Sequence, residues 1–114
     1  VQYFFDRHTD AVSFDLAEDS EYSASEPLAA GVTLHVDNRG RPLMLEIQKA
    51  SEILDIKGLV PQQALPVTWD EIARRMTSTA TGELIWRNVI RRTIVPGFIA
   101  RPPASQKKLK ARDP

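Results

Sequence analysis

Five side chains early in the chain carry its metal-ligating and acid–base potential: Asp6, His8 and Asp10, then His35 and Asp37. Asp6-x-His8-x-Asp10 gathers two carboxylates and an imidazole within one turn, and strand alternation puts His35 and Asp37 on one face. Neither spacing is that of a zinc site. The loop from Asp37 has Arg39 and Gln48 where an EF-hand needs acidic ligands. Turn-forming carboxylates and surface histidines account for all five, so no metal site and no cofactor is assigned. The serines between Ser20 and Ser25 lie in a loop-like stretch with no histidine in a recognisable motif, so no nucleophile is assigned and no enzyme is expected. Glu46, on the outward face of a strand, is read as pairing across the sheet with a basic side chain such as Lys49 or one from the C-terminal half.

A second kind of chemistry lies in the basic residues. Formal charge is zero over 114 residues, but residues 1–60 hold 5 Lys/Arg against 11 Asp/Glu while residues 61–114 hold 10 against 4. An acidic half is joined to a basic one. Complementarity between the halves, within one chain or across a dimer, is one reading of this split; a basic surface left for an acidic partner is another. The candidate phosphate-binding residues are Arg74, Arg75, Arg87, Arg91, Arg92, Lys107, Lys108, Lys110 and Arg112. Glu71 to Met76 resembles the first helix of a helix-turn-helix, but Glu83 stands where that motif needs an apolar residue.

The elements that must position these groups follow from periodicity. Gly31 to Ser51 holds two alternating runs around a turn. Val32, Leu34 and Val36 share one face, and Leu43, Leu45 and Ile47 share that of the return strand. If both triplets meet the core, Leu34 faces Leu45 and Val36 faces Leu43. That demands an even loop, which Arg39-Gly40 supplies as a two-residue turn. Pro42 then opens a strand whose start is an edge. Val1 to Phe5 and Asp10 to Ala17 form a first hairpin, in which Tyr3 and Phe5 face Val12 and Phe14 if the loop is even, with Phe4 competing for the core. Glu18 to Ala30 reads as an acidic connecting loop with at most a short extended piece near Tyr22, and Ala50 to Ile56 as a short helix stopped by Lys57-Gly58. Pro61 and Pro66 bracket a linker. Thr68-x-x-Glu71 is a capping box that opens a helix with Trp69, Ile72, Ala73 and Met76 on one stripe and Arg74 and Arg75 on its polar face. Thr77 to Gly82 breaks the pattern. Trp86, Val89, Ile90, Thr93 and Ile94 then fit a second helix ending before Pro96-Gly97, although their β-branched content also suits a strand. Residues 101–114 are Pro-, Lys- and Arg-rich and read as a disordered basic tail.

Asp6, Asp10-Ala11-Val12, Phe14 and Leu16, then Gly31-Val32, Asp37, Gly40, Leu45-Glu46-Ile47 and Ala50-Ser51 occur in an order and spacing that resembles domain-of-unknown-function family 2283. The likeness covers residues 3–54, and it departs from the family at Phe4-Phe5 and at Arg39. It implies a compact antiparallel β-meander with no established activity. Because some members are encoded beside small toxin-like proteins, it also implies an antitoxin-like, partner-binding role.

The expected fold is therefore α+β: a four-stranded antiparallel β-meander over residues 1–60, a helical extension over 61–100 packed on the sheet, and the tail at 101–114. The chain has no cysteine, which excludes disulfides and thiol chemistry, and no apolar run of membrane-spanning length. A bacterial-type cytoplasmic protein and a homodimer that covers the edge strand are expected. The expected function is non-enzymatic partner binding through Glu46, Trp69 and Trp86, with nucleic-acid binding by the basic half as the alternative.

Overall fold

The computed structural model describes residues 1–17 and 21–94. Six strands, β1 (Gln2–Asp6), β2 (Ala11–Asp15), β3 (Ala24–Ala29), β4 (Val32–Val36), β5 (Pro42–Ile47) and β6 (Ala64–Pro66), form one sheet in the order β3-β4-β5-β2-β1-β6. Every strand pair is antiparallel, and a single parallel bridge joins Phe5 to Pro61. A short 3-10 turn at Ala50–Glu52 and two helices, α1 (Trp69–Met76) and α2 (Ala80–Ile94), make the class α+β. No helix among the described residues is long and apolar enough to cross a membrane.

The sheet has six strands where four were expected, and both additions are edges. β3 lies in the stretch read as a loop, because Ala-Ser-Glu-Pro-Leu-Ala has no β-branched residue to advertise a strand. It forms because β4 would otherwise leave a row of backbone groups unpaired. Pro27 is tolerated there, with a register shift between Pro27 and Ala29. β6 lies in the expected linker and pairs Ala64 with Phe4 and Pro66 with Gln2. The loop of the first hairpin is even, residues 7–10, and it sets Tyr3 opposite Phe14 and Phe5 opposite Val12 while Phe4 faces away from the core. The sheet is not one continuous meander, since β5 returns to pair with β2.

The second hairpin reaches the expected core register by another route. Its loop is odd: Asp37 N donates to Arg41 O and Gly40 N to Asp37 O, leaving three residues, with Gly40 at φ +81°. That is a turn followed by a left-handed glycine, the position where a side chain is disfavoured. An odd loop alone would put Leu34 opposite Met44. A bulge between His35 and Val36 absorbs one residue, so Val36 faces Pro42 rather than Leu43 while Leu34 still faces Leu45. Burial of the apolar face fixes the register, and the loop and bulge adjust to it. Pro42 is buried at the start of a strand that lies between β4 and β2, but β2 pairs only as far as Met44 and the Leu43 carbonyl, so the start of β5 is an edge on that side.

Tyr3, Phe5, Val12, Phe14, Val32, Leu34, Leu45 and Ile47 form the inward sheet face, closed by Ile72 and Met76 of α1 and by Ile85, Trp86 and Val89 of α2. Ala50 to Ile56 is helical only at Ala50–Glu52. The break at residues 77–79 is two caps back to back. The Thr77 and Ser78 hydroxyls donate to Ala73 O and Arg75 O, and Thr79 Oγ1 accepts from Gly82 N while donating to Ile53 O. The end of the second helix before Pro96 and the tail at 101–114 lie outside the described residues, as do Glu18 and Asp19 of the acidic stretch.

Candidate partner-binding face

Helices cover only one side of the sheet. Among the described residues nothing packs over the other, which is built from alternate residues of each strand. Register arranges its centre as two rows. One runs Pro66, Gln2, Asp15, Met44, His35, Ser25; the other runs Ala64, Phe4, Ser13, Glu46, Thr33, Pro27. With Asp6 in line with Phe4, the outward positions of the six strands carry three carboxylates (Asp6, Asp15 and Glu46) and no lysine or arginine.

Two aromatic rings flank Glu46 on this face. Phe4 is 38% exposed and Tyr22 61% exposed, each far more than the aromatic residues of the core. A hollow of about 240 Å³ lies beside Phe4 and a cavity of about 410 Å³ lies under Tyr22, with Glu46 in the wall of both. A hydrogen-bond chain fixes the second. Tyr22 Oη lies 2.8 Å from Ser25 Oγ, Ser25 Oγ 2.9 Å from His35 Nδ1, and His35 Nε2 2.8 Å from Glu46 Oε1. Glu46 therefore pairs with His35, not with Lys49 or a residue of the basic half.

No protein-family model, curated protein or solved structure matches this chain. The residues that carry the resemblance over residues 3–54 have structural duties here. Asp10, at φ +54°, accepts Ala50 N on its carbonyl, and its carboxylate accepts Ser51 N and Ser51 Oγ, the last at 2.6 Å. Asp6 caps His8 N. Asp37 is buried and accepts Arg39 N, Arg41 N and Arg41 Nε. Burial opposes its charge, but these bonds prevail and hold its carboxyl below the usual range. The five residues first considered for chemistry are thus divided between two turns and the outward strand positions of Asp6 and His35, and no group of three metal-ligating side chains forms among the described residues.

The tryptophans expected at the partner surface lie elsewhere. Trp86 is 5% exposed within the core, and Trp69, half-buried, packs on it with ring centroids 5.6 Å apart. Of the candidate phosphate-binding residues, Arg75 is not on the polar face of its helix. It is 6% exposed, bonded through Nε to Glu71 and through Nη1 to Asp55 O and Lys57 O, because the 3-10 turn region brings those carbonyls under α1. Arg74 pairs with Glu71 and Asp55, Arg87 with Glu83, Arg92 with Glu26, and Arg91 donates to Asn88. Lys107, Lys108, Lys110 and Arg112 lie outside the described residues. The face centred on Glu46 also holds Phe4, Asp15, Tyr22 and Ser25, which the reading of the sequence did not select. Alternation in β1 and β2 marks Phe4 and Asp15 as outward, but Tyr22 and Ser25 reach the site only through β3.

Proposed function

We propose that this protein is a non-catalytic binding module, antitoxin-like in the broad sense of engaging and neutralising another protein, and that the uncovered sheet face centred on Glu46 is its partner surface. The single observation that supports this most is the composition of that face: exposed Phe4 and Tyr22, three carboxylates and, among the described residues, no lysine or arginine at an outward strand position. Exposed aromatic anchors within a charged surround are the makings of an interface hot spot. Its uniform sign calls for a basic partner. Under this reading the partner is a protein, and a second copy of the chain would use another surface, because two acidic faces repel.

The test is affinity purification of the tagged full-length chain from its native cells, with and without nuclease. A basic protein that co-elutes equally after nuclease is the expected result. Nucleic acid, or partners lost on nuclease treatment, would overturn the reading in favour of nucleic-acid binding by the basic residues of the C-terminal half.

A further inference from the structure

The 410 Å³ cavity has walls whose chemistry selects an occupant. Asp15 lies opposite Met44 and Ser13 opposite Glu46, so Asp15 and Glu46 are diagonal neighbours across β2 and β5, roughly 7–8 Å apart at the backbone. Both line the cavity, with Met44 and Leu43 beside them. Tyr22 is exposed, yet its ring is held: the hydroxyl bonds Ser25, and the ring lies against His35 with centroids 5.6 Å apart.

With a neutral imidazole the whole chain is satisfied when Tyr22 donates to Ser25, Ser25 donates to His35 Nδ1, and His35 Nε2–H donates to Glu46 Oε1. Glu46 Oε2 and the Asp15 carboxylate accept no side-chain bond among the described residues. A held aromatic ring and two carboxylates lining one cavity suit a flat cation. Guanidinium donates in a fork and stacks on aromatic rings, whereas an anion would be repelled and an apolar group would strip water from Asp15 without replacing it.

We propose that this cavity is the seat of an arginine side chain presented by the partner, with Glu46 and Asp15 receiving the guanidinium and Tyr22 covering its face. The proposal rests on the partner-binding reading of the sheet face, and it names the group that the partner brings.

The probe is N-acetyl-arginine amide, titrated into the 15N-labelled full-length chain alongside its neutral isostere N-acetyl-citrulline amide. The arginine compound shifts the amide signals of Ala17, Tyr22 and Met44 and binds at least about tenfold more tightly than the citrulline one. Glu46→Gln keeps an acceptor for His35 but removes the charge, and lowers the affinity by about tenfold. Equal binding of the two compounds, shifts scattered over Glu71 and Glu83 on the helices, or no shift at all would overturn the proposal. The two readings fail separately. Free arginine that binds here, in a chain that captures no protein, leaves the cavity assignment standing and removes the partner reading; a partner captured through this face without arginine binding does the reverse.

Discussion

Asp37 shows how a residue that invites a functional reading serves the backbone instead. Its carboxylate closes the β4–β5 turn through three donors from Arg39 and Arg41. Asp55 and Glu71 are also held below their ordinary values, Asp55 first by the Lys57 N–H and Glu71 first by the Arg74 guanidinium. Groups whose folded-state values are depressed bind fewer protons than in the unfolded chain. Their stabilisation is complete above the ordinary values of 3.8 and 4.5 and is lost as pH falls through the folded ones. Denaturation midpoints are therefore expected to fall between about pH 6 and about pH 3, and Asp37→Asn should flatten part of that fall. A midpoint independent of pH over this range would contradict the assignment. The turn duty of Asp37 was legible in the sequence as Asp-x-x-Gly; its burial was not, since strand alternation placed it outward beside His35.

At the level of elements, the legible part was what carries strong periodicity. Both hairpins and the α1 cap follow from apolar spacing and from Thr68, whose Oγ1 accepts Glu71 N as a capping box requires, whereas spacing left α2 open between helix and strand and missed its buried Ile85. Half of that box is absent, because the Glu71 carboxylate turns to Arg74 and Arg75. The illegible part was set by neighbours: β3 and β6 are strands because β4 and β1 offer them an edge, and their own residues say little. Gly82 belongs to the same class. A β-carbon built there would lie 2.1 Å from Met76 O and 2.5 Å from Ile53 O, so the start of α2 can approach α1 and the 3-10 turn region only as glycine. Gly82→Ala is expected to destabilise the fold by at least about 2 kcal/mol in chemical denaturation, although alanine is the better helix former. A neutral or stabilising effect would mean that the approach of α2 is looser than described.

For the whole molecule, the opposite charges of the two halves are used in part within the chain. Arg74 pairs with Asp55 and Arg92 with Glu26, and buried Arg75 bonds the Asp55 and Lys57 carbonyls. The carboxylates of the outward sheet face take no part in this, which leaves that face acidic. Both sheet edges are blunted, β3 by Pro27 and its irregular register and β6 by its three-residue length and terminal Pro66, so edge-to-edge pairing gives poor access to a homodimer. We propose that a basic protein partner docks on the face around Glu46. The most direct test is side-by-side capture from native cells by the wild-type chain, by the double variant Asp15→Lys/Glu46→Lys, and by Arg87→Glu on the exposed side of α2, each verified as folded by its thermal melt. The partner is expected with the wild type and with Arg87→Glu, and is expected to be lost from the double variant. Equal capture by all three would place the interface elsewhere and contradict the account.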